Sequence, residues 1–395
     1  GVEIPNKRNA KLLKRLGTLP LVGGALGAGI PLSSAQGETL AAAPKRNVIK
    51  ELGLRSSVNA AGTYTAMTAS LMPDEVMQTI NFSSDHYIML DEVQDKVGEK
   101  IAELCHAEYA TVTAGCWSAM VLGTAGVLTG KDRKKISQLP DLTGMKSQVI
   151  VQKSHNTGYV HALTNTGVEI VEVETAADVD RAVNDKTAMM WFLNYQGPAG
   201  KIKHEEWVAL AKKNLWKYND LGFDLVCVSG GKAIRGPQSA GILMGRRDLI
   251  EAARLSAPPR GGTIGRGMKV NKEEILGMYV ALDTYIKKDH DKEWKEWEDK
   301  IAHISAAVSG SESVSTDVSV PEVANHTPYL QIGWDPNIIK LDQGELRKRL
   351  REGSPSIEVI SGGDNAVKLT VFMLRPKEEK IVAKRIAEEL QKAKV

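Results

Sequence analysis

The sequence predicts an α/β protein whose main domain carries a largely parallel sheet, followed by a small α+β domain. Three observations predict this. Short apolar runs alternate with helical patterns between residues 107 and 245, as strands and crossover helices do. A long helical pattern begins at residue 273. Beyond it the order changes to three strand-like runs and a closing helix. The 395 residues suit two or three units at about 150 residues each.

The elements follow in chain order. Residues 1–45 form a leader: a basic stretch 7–15 (KRNAKLLKR), an apolar, glycine-rich stretch 16–30, then Ser33 and Ala35 at peptidase-like spacing. This is the layout of an export signal. Its weak apolarity is that of a twin-arginine signal, with Lys7-Arg8 where two arginines belong. Export to the periplasm is the expectation, with a cytoplasmic protein carrying a glycine-rich tail as the alternative. Residues 46–90 mix turns and helix; the small-residue run 58–76 reads as a loop leading into a helix, with Pro73 near its first turn.

The main domain is expected over 91–270. Val93, Val97, Ile101 and Leu104 share one helical face. Residues 107–128 (AEYATVTAGCWSAMVLGTAGVL) read as strand, sharp turn and buried helix. Strands are expected at 147–153, 168–174, 187–194, 224–229 and 239–245. Residues 271–395 hold the linking helix (273–290), strands at 329–334, 356–361 and 366–374, and a helix over 377–394.

Composition excludes several classes. The apolar fraction (42%) and the charged fraction (25%) are ordinary for a globular chain. Net charge is +3 with the signs interspersed, so no basic stripe signals nucleic acid. The three cysteines, Cys105, Cys116 and Cys227, lack the spacing of a disulfide framework or a zinc site; no metal site is expected. No apolar run is long and clean enough for a bilayer span.

The chemistry gathers in residues 227–245 (CVSGGKAIRGPQSAGILMG). Lys232 follows an apolar strand and is fenced by glycines. A lysine so placed can form a Schiff base with an aldehyde cofactor. Ser229 and the glycine N–H groups suit a phosphate. A second anion cup is offered where the strand ending at Thr113 turns into a helix at 114–118. Two anion cups and one lysine in an α/β domain suggest pyridoxal phosphate. Each piece has a plain alternative: a glycine-flanked lysine also makes a surface turn, and a Thr-x-Gly-x-x-Ser stretch also makes an ordinary helix cap.

From about residue 46 onward the chain resembles the selenocysteine synthase-like family of fold-type I pyridoxal phosphate enzymes, which have an aspartate aminotransferase-like fold. The matching stretches are 58–65 (VNAAGTYT), 98–120 (GEKIAELCHAEYATVTAGCWSAM), 138–155 (QLPDLTGMKSQVIVQKSH), 224–250 (DLVCVSGGKAIRGPQSAGILMGRRDLI) and 264–285 (IGRGMKVNKEEILGMYVALDTY). The likeness is nearer to the branch of D-glucosaminate-6-phosphate ammonia lyase. The resemblance implies that Lys232 is the Schiff-base lysine and the α-proton carrier. It implies that Ala114, Gly115, Cys116 and Ser229 line the phosphate. His155 would lie over the cofactor ring, or be a strand-end histidine. Arg235 and Gln238 would hold a substrate carboxylate or order the loop. Arg266 would reach a neighbouring subunit's phosphate site or be a surface arginine. Asn59 and Tyr64 are expected on the substrate side.

One element is missing from the pattern. The helix over 205–213 runs through Asn214 into residues 215–229 (LWKYNDLGFDLVCVS), with no strand between. Right-handed crossovers need one there. The family resemblance implies that this strand carries the aspartate that pairs with the pyridine nitrogen and keeps the ring an electron sink. Asp220 and Asp224 are near in sequence, but neither is an obvious replacement. Either a segment is skipped or the protein lacks the strand. Loss of a central strand exposes ladder groups at about 1–3 kcal/mol each, which favours the skipped segment.

The expected function is a pyridoxal phosphate-dependent lyase or transferase. It would remove the α-proton of a small amino acid or amino sugar acid, followed by β-elimination or β-replacement. The alternatives are a non-catalytic relative without the electron sink, and a selenium transferase acting on seryl-tRNA. Near-neutral charge, the leader and the want of an RNA-binding domain count against the last. A homodimer or larger homo-oligomer is expected, with no nucleic-acid partner.

Overall fold

The computed structural model describes residues 46–214, 222–310, 313–323 and 325–395. The leader expected over 1–45 lies outside them. The chain divides into two compact units, 1–54 and 55–395. In the first, the described part is the short helix Val48–Glu51, capped by the Asn47 side chain.

The second unit contains the α/β core. Strand β1 (Ser57–Asn59) is followed by helices α1 (Asp74–Ser84) and α2 (Leu90–Leu104). Pro73 stands at the N-cap of α1. Helix α2 buries Val93, Val97 and Ile101, the face its periodicity predicts. It leads into β2 (Tyr109–Thr113), buried at every position, and into α3 (Gly115–Thr129), which is apolar all round and almost wholly buried.

Three βα units follow: β3 (Gln148–Gln152), β4 (Glu169–Val173) with α4 (Ala176–Ala182), and β5 (Thr187–Trp191) with α5 (His204–Asn214). Next come β6 (Leu225–Ser229), β7 (Gly241–Gly245) and α6 (Arg247–Leu255). Strands β4-β3-β5 form a parallel sheet. Strands β2-β7-β6 form a second sheet, antiparallel throughout because β7 runs against both neighbours.

The expected central sheet is thus present as two three-stranded halves. Among the described residues, β5 pairs only with β3, and β6 only with β7. Their open edges fall where the crossover pattern lacks a strand. All five residues of β6 and three of β5 are half-buried, unlike β2. Both halves still rest on α3, where Met189, Trp191 and Cys227 pack against one apolar cluster with Val121 and Ala125.

The outer edge of β2 has a different solution. The Gln94 side chain of α2 donates to the Val112 carbonyl (2.8 Å) and accepts from the Val112 N–H (3.0 Å) and the Thr111 hydroxyl (2.8 Å). One buried amide thereby acts as a short piece of neighbouring strand. Gln152 does the same for the backbone of Ile202 at the end of β3.

The C-terminal part begins with α7 (Lys272–Lys287), opened by an Asn271–Glu274 capping box, and α8 (His290–Val308). Strands β8 (Val314–Ser319), β9 (Tyr329–Trp334), β11 (Ile360–Gly363) and β12 (Ala366–Thr370) make an antiparallel sheet in the order β11-β12-β9-β8. Helices α9 (Gln343–Glu352) and α10 (Glu378–Lys392) complete it. Strand β10 (Ser356–Glu358) pairs in parallel with β1, so residues 57–59, expected to precede or open a loop, extend this C-terminal region. Strand β8 was also not expected. It is short of apolar residues and half exposed, which hides its alternation. Among the described residues, no helix is long and apolar enough to cross a membrane, and no cluster of metal-ligating side chains occurs.

Candidate functional site

Three chain segments distant in sequence meet at one point: the start of α3, the end of β6 and the start of β7. Ser229 pairs with Gly241 across the β6–β7 ladder. A Cβ on Gly241 would fall 2.5 Å from the Gly115 carbonyl carbon and 2.6 Å from the Cys116 nitrogen. Only glycine lets these backbones approach so closely. Lys232 lies three residues past Ser229, half-buried, and its ammonium is close enough to Cys116 to favour the thiolate.

The N-terminus of α3 is free to receive an anion. Its cap residue, Ala114, makes no side-chain hydrogen bond, and Gly115 takes the left-handed conformation at φ +82°. The nearby hydroxyls turn inward: Ser118 donates to the Ala114 carbonyl (2.7 Å), and Thr113 to the Gly115 carbonyl (3.0 Å). The first-turn N–H groups therefore remain as the anion donors, reinforced by the helix dipole.

The lysine loop is closed on itself and roofed. Gly230 N–H donates to Ala240 O (3.0 Å), Gly236 N–H to Gly230 O (2.9 Å) and Arg235 N–H to Lys232 O (3.0 Å). Arg235 has a positive φ of 59°. Its side chain donates to the Leu71 carbonyl (2.9 Å), and that of Gln238 to the Thr65 carbonyl (3.1 Å). Ser70, which sequence reasoning missed, donates to the Gly231 carbonyl (2.7 Å). Of the two roles open for Arg235 and Gln238, these bonds favour ordering: they fasten the 65–71 segment over the lysine loop.

The other candidate residues lie on separate segments. Tyr64 begins the fastened segment and is 51% exposed. Asn59 is used locally: its oxygen accepts from the N–H groups of Ala61 and Gly62, and its amide donates to the Gly62 carbonyl, each at 3.0 Å. Arg266 is exposed, on a loop held by Gly265, whose missing Cβ would meet the Ser256 carbonyl and Leu122.

His155 is fully buried. Its Nδ1 accepts from the Leu193 N–H (3.2 Å), and Phe192 meets its ring edge-on at 4.5 Å. Its Nε2 is buried without a partner. Burial pushes the imidazole pKa down. The ring is thus enclosed by protein at the end of β5.

The residues present fit two ends of a pyridoxal phosphate molecule. The helix start and Ser229 suit its phosphate, and Lys232 its aldehyde. The ring nitrogen has no comparable partner among the described residues, since Asp224 pairs with Arg246 at 3.2 Å. Asp220 lies outside them. Sequence reasoning also missed Cys227 and Gly241 as site residues. Their signal is the packing of β6 and β7 on α3, which periodicity does not carry.

No protein-family profile matches the chain. It is 25% identical over 335 residues to D-glucosaminate-6-phosphate ammonia lyase of Salmonella typhimurium, covering 79% of this chain and 88% of that one. It is 24% identical over 334 residues to a 5'-C-glycyluridine monooxygenase-decarboxylase of Streptomyces, covering 78% and 82%. A shorter likeness, 27% over 156 residues, covers 35% of the chain and 32% of the L-seryl-tRNA(Sec) selenium transferase of Aquifex aeolicus. Among solved structures, a D-glucosaminate-6-phosphate ammonia-lyase superposes with a TM-score of 0.74 at 23% identity, covering 88% of this chain and 99% of that one. Serine palmitoyltransferase from S. paucimobilis, solved with a pyridoxal phosphate adduct, gives 0.52 at 12%, covering 86% and 88%. The chain thus has the fold of the fold-type I pyridoxal phosphate enzymes and resembles D-glucosaminate-6-phosphate ammonia lyase over most of its length.

Proposed function

We propose that this protein is a pyridoxal phosphate-dependent lyase whose substrate is a small amino acid or an amino sugar acid. The carrying observation is the convergence of Lys232, Ser229 and the uncapped start of α3 at Gly115–Cys116. The N–H groups of Gly115 and Cys116 and the Ser229 hydroxyl would hold the phosphate, and Lys232 Nζ would hold the aldehyde carbon. The bound cofactor supplies an electron sink for the negative charge left on the substrate α-carbon. Lys232 Nζ would be the base that takes the substrate α-proton; loss of a β-substituent followed by hydrolysis with one water would give ammonia and a keto acid.

Arg235, Gln238 and Ser70 position rather than react. They fix the 65–71 segment, and with it Tyr64, over the lysine loop. Tyr64 and Asn59 bound the substrate side, and Arg266 reaches the site of a second copy. His155, at the end of β3, is the histidine that would stand by the cofactor ring.

A second reading, a relative that binds the cofactor without turnover, is favoured by the edges of β5 and β6 that carry no partner strand among the described residues. Reconstitution decides between them. Pyridoxal phosphate is added to the full chain, the visible absorption band is recorded, and ammonia release is assayed on D-glucosaminate 6-phosphate and on D- and L-hydroxy amino acids. The lyase reading expects a band that Lys232→Ala erases, together with ammonia release. A band without ammonia from any substrate supports the second reading. No band in the unaltered protein sinks both.

A further inference from the structure

The segment 57–71 ties the C-terminal sheet to the lysine loop. Its start pairs with β10, and the Ala60 carbonyl accepts from the Thr370 N–H at the end of β12 (2.9 Å). Its other end is fastened by Gln238, Ser70 and Arg235. Gln238 packs on Gly231, the residue before Lys232: a Cβ on Gly231 would fall 2.5 Å from the Gln238 Cα. Tyr64 stands between the two attachments.

There Tyr64 meets one face of the β12–β9 pair. A Cβ on Gly62 would lie 3.4 Å from Thr370 Cγ2 and 3.9 Å from Tyr64 Cε2, so methyl group and ring edge are neighbours. Thr370 is paired with Tyr329 across the ladder, and Lys368 with Gln331. These four side chains share one face, because alternate residues of a strand point the same way. Val367, Leu369, Leu330 and Ile332 point the other way, into the C-terminal core. Thr327 reaches the polar face, its hydroxyl 3.3 Å from that of Thr370. Lys368 is half-buried. Its ammonium lies over the Tyr329 ring, 4.9 Å from the centroid, and makes no ion pair among the described residues. Asp317 shares the face but stands on β8, beyond Gln331, two strand spacings or roughly 9.5 Å from the lysine backbone. Tyr64, 51% exposed, leaves the face open to a ligand.

We infer that Lys368 and Tyr64, backed by Thr327 and Thr370, form a second anion subsite, which takes a phosphate monoester at the end of the substrate remote from its amine. A lysine ammonium is a point charge whose three donors suit tetrahedral phosphate oxygens, whereas a planar carboxylate is matched by the fork of an arginine. The threonine hydroxyls and the Tyr64 phenol add neutral donors around that charge. The subsite belongs to the lysine loop because Tyr64 precedes Thr65, whose carbonyl Gln238 holds. A substrate with its amine at Lys232 must pass Gln238 to reach Lys368. Of the two substrate classes proposed above, this selects the longer, a phosphorylated amino sugar acid.

The role in turnover rests on the function proposed above; phosphate binding at Lys368 does not. The test is calorimetric titration of the full chain, with pyridoxal phosphate in saturating amount, against D-gluconate 6-phosphate and D-gluconate, neither of which has an amine. The 6-phosphate is expected to bind at least about tenfold more tightly. Lys368→Met removes that preference and leaves D-gluconate binding within about twofold. Lys368→Arg keeps most of it, since the charge remains. Tyr64→Phe, on an exposed side chain independent of the sheet packing, weakens the 6-phosphate by at least about threefold through one lost hydrogen bond. Lys340→Met, an exposed lysine of the same region, changes neither ligand. A folded Lys368→Met protein that keeps the preference, or a Tyr64→Phe protein that binds the 6-phosphate like the parent, overturns the inference. Equal weakening of both ligands by Lys368→Met overturns it too, since a carboxylate would then sit there. Should the parent show no pyridoxal phosphate band while Lys368→Met still abolishes the preference, the cofactor reading falls and the subsite stands.

Discussion

Gly241→Ala isolates what the close approach of β7 to α3 does. The added Cβ would lie 2.5 Å from the Gly115 carbonyl carbon, and ordinary contact begins at 3.4 Å. The two backbones must therefore separate by about 0.9 Å (3.4 − 2.5), because both neighbours are main chain and neither can rotate away. Gly241 is paired to Ser229, so the α3 donors move relative to Ser229 and the lysine loop. A phosphate hydrogen bond stretched from about 2.9 Å by that amount passes the limit of useful geometry. Hydrogen bonds to a charged group contribute about 1.5–3 kcal/mol each. Losing one or two costs about 3 kcal/mol, or roughly a hundredfold in dissociation constant. Overpacking itself lowers folding stability by about 1–3 kcal/mol. The assay is titration of the full chain with pyridoxal phosphate, read by absorption, beside thermal melts of the free protein. Gly267→Ala, where no atom lies within 4 Å of the new Cβ, is the control and should bind normally. A Gly241→Ala protein that binds within about threefold of the parent would refute the cup as drawn.

Three further outcomes are expected. Arg235→Ala removes a hydrogen bond from a charged donor to the Leu71 carbonyl, loosening the 65–71 segment by about 1.5–3 kcal/mol; amide exchange in that segment should speed up while the β2–β7 ladder keeps its protection. Gln94→Leu strands the Val112 N–H and carbonyl and the Thr111 hydroxyl, so chemical denaturation should show a loss of roughly 3–9 kcal/mol at about 1–3 per group, and a loss under about 1 kcal/mol contradicts the edge-capping role. His155 has a lowered pKa in the fold, so its stabilisation is complete above its unfolded value of about 6.5. That share fades as pH falls through the lowered folded value, because the unfolded chain then binds the extra proton. Stability measured against pH should fall more steeply there in the parent than in His155→Asn.

Much of the main domain was legible because its signals are local. The helix at 91–104 and the strands at 147–153 and 168–174 lie within a residue or two of their predicted bounds. Apolar period alone distinguishes 3.6 from 2. The want of a strand signal after Asn214 was legible as a sequence pattern, and residues 215–221 lie outside the described ones. The sheet arrangement was not: among the described residues the central sheet stands as two halves, with β5 paired only to β3 and β6 only to β7. Strand β1 was illegible because three residues carry no period, and its partner β10 lies some three hundred residues later.

Within the site, Lys232 could be singled out by its glycines and by the strand before it. The work of Arg235 and Gln238 could not, since their acceptors are carbonyls at Leu71 and Thr65. Nor could the burial of His155, which depends on Phe192 closing over it.

The sequence by itself determined which segments are strand or helix, and that a lysine and two sets of anion donors terminate them. Those properties depend on neighbours a few positions away. The tertiary structure decided that Gly115 meets Gly241, that Arg235 meets Leu71, and that Ser70 meets Gly231. Each pair is separated by more than a hundred residues. Such meetings depend on how α3 and the 65–71 segment pack on the β6–β7 pair, a through-space outcome that no local pattern encodes.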